Sequence, residues 1–144
     1  MITMNIVTID QNEKAKILYR KTKPIDLETL DTKAMRELVK KMRTIMKHAD
    51  GVGLSANQIG LDMQLFVAEI PQEAGQGRSK FYAILNPEIV KASSEATALD
   101  EGCLSIPRVY GPVERAEKVT LTGFDVRGKK LKIKAPKNFG LHYY

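Results

Sequence analysis

A chain of 144 residues and 16.1 kDa has room for one domain around a single core. Its 43% hydrophobic and 28% charged residues are ordinary globular values, which excludes a disordered or collagen-like chain. The net charge of +6 is spread along the chain, and its densest basic run, Arg127 to Lys134, interleaves lysines with Leu131 and Ile133 rather than with aromatics, so nucleic-acid binding is not the expected role.

In chain order, residues 5–9 and 17–19 read as extended, and Lys23-Pro24-Ile25 closes that opening segment. A long amphipathic helix follows. Leu27, Leu30, Ala34, Met35, Leu38, Val39, Met42, Ile45, Met46 and Ala49 step by three and four, with Lys, Arg and Glu on the other side. Asp26 or Asp31 is placed to cap its start, and Asp50-Gly51 ends it. Strands are predicted at 63–70, 81–85, 88–91, 118–125 and 130–134, with a polar loop over 71–80 and a hairpin turn at Asp125–Gly128. One long N-terminal helix before antiparallel or mixed sheets gives an α+β domain spanning residues 1–144.

No apolar run approaches the roughly 18 residues of a membrane span. The N-terminus lacks the basic start and apolar block of a secretory signal, and Cys103 stands alone, so no internal disulfide is available. A soluble, cytoplasmic protein is expected, without a membrane partner.

Two segments carry candidate chemistry. Gly51-Val-Gly-Leu-Ser-Ala-Asn-Gln58 follows the helix; its glycines allow close backbone approach, and Gln58 offers an amide donor and acceptor. By itself it reads equally well as a helix-to-strand turn. Glu101-Gly-Cys103-Leu-Ser105-Ile-Pro107 places the lone thiol beside a glycine. Taken alone, that cysteine reads as a small buried hydrophobe.

Together, the GxGLxAxQ block and the downstream EGCLS block resemble the bacterial peptide deformylases, and the likeness extends from about Ile6 to Lys134. The resemblance implies a peptide-deformylase-like fold and a metallohydrolase that removes the formyl group from the N-terminal methionine of new polypeptides. It implies Cys103 as a metal ligand and Gln58 with the Leu104 N–H as oxyanion donors. Val52, Gly53, Leu54 and Gly102 are implied to line the peptide site. The family uses Fe²⁺ or a similar divalent ion held by one cysteine and two histidines.

The family's third motif, a helical His-Glu-x-x-His, is absent from this sequence. That spacing puts two imidazoles on one helical face beside a general acid/base. The chain holds only His48 and His142, and neither has the second ligand or the glutamate at the required offset. The expectation is therefore a deformylase-like domain truncated after about residue 135, its metal-binding helix missing, with no bound metal and no turnover. The alternatives are a functional deformylase with an unusual or completed metal site, or a non-enzymatic binder of N-terminal peptides or ribosomal RNA. The partners implied are formylated nascent peptides or the ribosome.

Overall fold

The computed structural model describes residues 4–71 and 79–135. Its one α-helix among those residues, α1 (Thr32–His48), starts at Asp31, whose carboxylate accepts the Ala34 N–H at 3.0 Å. That bond satisfies one of the orphan donors at the helix start. Of the two caps open in the sequence, Asp31 is the one used. Leu27 and Leu30 precede the helix and still pack against the core, which is why their spacing mimics a further turn.

Seven strands follow: β1 (Gly53–Ser55), β2 (Leu65–Pro71), β3 (Ser79–Ala92), β4 (Ala96–Cys103), β5 (Ile106–Ala116), β6 (Val119–Phe124) and β7 (Lys130–Ala135). All pairings are antiparallel. Five strands form one sheet in the order β1-β2-β3-β6-β7, and β4 with β5 form a separate two-stranded sheet. The predicted strands 81–85 and 88–91 are one continuous β3, interrupted in register where β6 pairs with it. The extended reading of 17–19 is corrected: Lys14–Leu18 form a short 3₁₀ helix with Ala15 buried. The predicted loop at 71–80 is replaced at its two ends by strand, with residues 72–78 outside the described residues, as are 136–144 and His142.

β2 shows why the sheet organises two cores. Successive strand side chains point to opposite faces. Leu65 and Val67 join Met35, Val39, Met42, Met46, Leu54 and Leu85 on the α1 side, while Phe66, Ala68 and Ile70 join Ile84, Leu121 and Ala135 on the other. The methionines of α1 are thus core, as their spacing predicts. The predicted hairpin turn between β6 and β7 forms, with the Asp125 carboxylate accepting the N–H groups of Arg127 and Lys129, each at 2.9 Å. No helix among the described residues is long and apolar enough to cross a membrane.

Candidate functional site

The chain leaves α1 through Asp50 and enters β1, the edge strand of the large sheet, then turns through a short 3₁₀ helix, Ala56–Ile59. Gln58 lies on that turn. The Ser55 N–H donates to its Oε1 at 3.0 Å, and the Ser55 hydroxyl reaches the same oxygen at 3.1 Å. A backbone N–H can only donate, so the oxygen end of the Gln58 amide is assigned to Ser55, and Nε2 must face the other way.

What Nε2 faces is the second motif. Cys103 ends β4, and its Sγ lies 3.6 Å from Gln58 Nε2; Ser105, in the turn to β5, places Oγ at 3.1 Å from the same nitrogen. Residues 45 positions apart are therefore brought side by side. Cys103 is an exposed free thiol, whereas Ser105 is the only buried polar side chain among the described residues. Leu104, between them, packs against the α1 core, which fixes the direction of the loop that carries its N–H.

The N-terminal segment ties the two loops together. Val7 donates its N–H to the Gln58 carbonyl at 2.6 Å, and Ile9 donates to the Ser105 carbonyl at 3.0 Å. Two donors spaced by two residues lie on one edge of an extended chain, so one strap holds both loops. Sequence reasoning left this segment and Ser105 without a role. Ser105 was visible inside the EGCLS block, but the strap's backbone bonds leave no side-chain signature.

Val52, Gly53 and Cys103 line a broad open groove of about 2010 Å³ between the two sheets. Val52 is exposed and its carbonyl accepts the Glu69 N–H at 2.9 Å. Leu54 is fully buried among the α1-facing residues, so only its backbone faces the β1 edge. Gly102 is crossed by the Tyr110 ring: a Cβ there would come within 2.4 Å of Cε1. The β4–β5 sheet is braced by Arg115, which donates to both oxygens of Glu101 at 3.0 and 2.9 Å. Next to Val52, Glu69 meets Arg43 at 2.6 Å and Lys47 at 3.3 Å; the Arg43 hydrogen bond above all holds its carboxyl down at about 2.

The described residues do not fit a catalytic divalent ion, which takes about three protein ligands. Among them there is no group of three or more His, Cys, Asp or Glu side chains able to hold one. Cys103 has the Gln58 amide beside its sulfur, and His48 lies exposed in the last turn of α1. What the site offers is an oriented amide donor beside a thiol, at the mouth of a groove with a strand edge along it.

The family model for polypeptide deformylase matches residues 3–139. The peptide deformylase of Chloroflexus aurantiacus is 39% identical over 138 residues, covering 90% of this chain and 72% of that protein. Among solved structures, the class I type b peptide deformylase of Acinetobacter baumannii superposes with a TM-score of 0.82 at 26% identity, over 95% of this chain and 86% of that one. The plant peptide deformylase 1B of Arabidopsis thaliana superposes with a TM-score of 0.78 at 36% identity, over 93% of this chain and 69% of that one. The predicted α+β architecture of one long helix with antiparallel sheets is the architecture of these neighbours.

Proposed function

This chain belongs to the polypeptide deformylase family, and from that premise we propose that its 144 residues hold the formylated N-terminus of a polypeptide beside Cys103 without hydrolysing it. The observation that carries the reading is the Gln58 amide, oriented by Ser55 so that Nε2 points into the space at Cys103. A donor aimed in advance at a carbonyl oxygen needs no reorganisation when that oxygen arrives. Gln58 Nε2 and the Leu104 N–H are the proposed pair facing the formyl oxygen. The edge of β1, with Val52 leading into it and Gly53 and Leu54 on it, is suited to pair with the peptide backbone, while the space a side chain at 102 would take is filled by the Tyr110 ring.

These 144 residues hold too few of the groups that turnover needs. The family's chemistry, as the resemblance implies, takes two histidines and a glutamate in His-Glu-x-x-His, and the sequence contains no such segment. A general acid/base alone is worth about 10²–10⁴-fold. With Cys103 alone in place of three ligands, we assign no bound metal to this chain.

The test is performed on the 144-residue chain handled anaerobically with Fe²⁺ supplied. Binding of a formyl-methionyl peptide and of the same peptide with a free amine is measured by calorimetry across a salt series, beside amine release and elemental analysis. Expected are preference for the formylated peptide, little dependence on salt, no release above background and no stoichiometric metal. Stoichiometric metal with turnover abolished by Cys103→Ala would overturn the reading and establish a functional deformylase whose site His48, His142 or a second copy completes. Binding of ribosomal RNA that falls steeply with salt, with no binding of either peptide, would overturn the reading in favour of a polyanion partner.

A further inference from the structure

We propose that Ser105 is a positioning residue for Gln58: its hydroxyl takes one of the two Nε2 protons and thereby aims the other at the ligand's carbonyl oxygen. This rests on the reading that Gln58 faces a formyl group. A primary amide has two N–H donors and one carbonyl acceptor. The Gln58 oxygen is held by Ser55, and Ser105 Oγ lies 3.1 Å from Nε2. One proton is therefore committed to Ser105. The other is directed by the planarity of the amide toward the Cys103 side, where the sulfur, at 3.6 Å, is a weak acceptor that a carbonyl oxygen displaces easily.

Burial separates the two neighbours. Ser105 is 3% exposed, so its hydroxyl is shielded from water and the bond to Gln58 is its means of satisfaction; Cys103 is exposed and has water available. Ser105 is itself held from outside the motif. Its carbonyl accepts the Ile9 N–H at 3.0 Å, while Val7 holds the Gln58 carbonyl at 2.6 Å. Both partners of the side-chain bond are thus anchored through their main chains to one strap. Without Ser105, Gln58 keeps its oxygen anchor but gains freedom about its last torsion, and the donor is no longer aimed.

The experiment follows the Gln58 side-chain amide by NMR in ¹⁵N-labelled chain, with the two peptides of the previous test as ligands. In the unaltered chain the two Nε2 protons should exchange with solvent at unequal rates, the one bonded to Ser105 more slowly. Ser105→Ala should equalise and accelerate them and weaken binding of the formyl-methionyl peptide about fivefold, the worth of one misdirected hydrogen bond. Binding of the free-amine peptide should not change, and Ser105→Thr, which keeps a hydroxyl, should restore both signals and affinity.

Unchanged Gln58 signals in Ser105→Ala would overturn the proposal. So would an equal loss of affinity for both peptides, which would mark Ser105 as a folding residue only, and so would altered signals with undiminished preference for the formyl group. If the unaltered chain shows no preference for the formylated peptide, the functional reading fails while the amide signals still decide whether Ser105 orients Gln58. Should Ser105→Ala not fold, the identity of the slow proton in the unaltered chain decides: slow exchange of the Nε2 proton that shows a nuclear Overhauser contact to the Ser105 β-protons supports the proposal, and slow exchange of the one facing Cys103 refutes it.

Discussion

The side chain of Leu104 occupies the space that a β-carbon on Gly51 would need: an ideal Cβ there lies 2.6 Å from Leu104 Cδ1 and 3.3 Å from Cγ. The glycine after α1 and the leucine after Cys103 are thus complementary shapes, and the two motifs meet at this contact as well as at Gln58. Gly51→Ala should destabilise the chain by about 1–2 kcal/mol through overpacking. Leu104→Ala should cost about as much for a different reason, the loss of packing at a half-buried site. In the double variant the alanine at 51 has room, so the two losses should not add. A cycle of denaturant melts checks this; additivity within about 0.3–0.5 kcal/mol would show that the contact is not felt.

Arg115 and Glu101 make a bidentate pair across β4 and β5, with the Glu101 side chain only 9% exposed and the Arg115 side chain 39%. A planar fork matches a carboxylate in a way that an ammonium cannot. Arg115→Lys is therefore expected to cost about 1 kcal/mol, and Arg115→Met more, roughly 2–3 kcal/mol, because it leaves a nearly buried carboxylate without its cation. Thermal or denaturant melts of the two variants give the order. If methionine is tolerated better than lysine, burial and not pairing dominates at this position.

The legibility of the chain follows the range of the forces involved. α1 could be read because its apolar stripe, from Met35 to Met46, is a local period; its start could not be placed from that stripe, since Leu27 and Leu30 continue the spacing without being helical. β2, β6 and β7 were visible as short runs of strand-forming residues. β4 and β5 were not. Their residues include Asp100, Glu101, Gly102, Pro107 and Pro112, poor strand formers that pair only because the opposite strand is adjacent. At the site, the identities of Gln58, Cys103 and Leu104 came from the resemblance of two motifs. Their contact is tertiary, and no local pattern encodes it. Ser105 illustrates the limit: a serine in a turn reads as a polar surface residue until its burial is known.

Glu69 gives a pH dependence with a definite sign. Its carboxyl is held down to about 2 from an ordinary 4.5 by the Arg43 hydrogen bond first, with Ser79 and Lys47 adding, against a desolvation that raises it. A depressed acid stabilises the folded state above its unfolded value and loses that contribution as pH falls toward its folded value. The contribution should thus be complete above about pH 4.5 and disappear between there and about pH 2. Because Arg43 is 42% and Lys47 55% exposed, solvent screening reduces it to about 1–2 kcal/mol. Glu69→Gln should be less stable than the unaltered chain by that amount at pH 7, with the two converging near pH 2. A gap that stays constant with pH would assign the loss to packing instead.

The strap formed by Val7 and Ile9 should be detectable without any substitution. Both donate their N–H to carbonyls on the site loops, Val7 to Gln58 and Ile9 to Ser105. Amides in hydrogen bonds exchange with solvent only when the bond opens, and the rate reports the free energy of that opening. Two bonds on one extended segment, each anchored to a different loop, should open together, because releasing one leaves the other at the end of a lever three residues long. Val7 and Ile9 should therefore show similar protection in hydrogen-exchange NMR. Lys14→Pro, placed in the 3₁₀ helix that follows the strap, removes the Lys14 N–H bond to the Gln11 carbonyl and leaves the strap's own donors in place. It should change the exchange of Val7 and Ile9 by the same factor if they are one unit. Protection of Val7 that persists while Ile9 exchanges freely would show that Gln58 and Ser105 are held separately, and that the two loops are aligned by the Gln58 side-chain bonds and the Leu104–Gly51 contact without the strap.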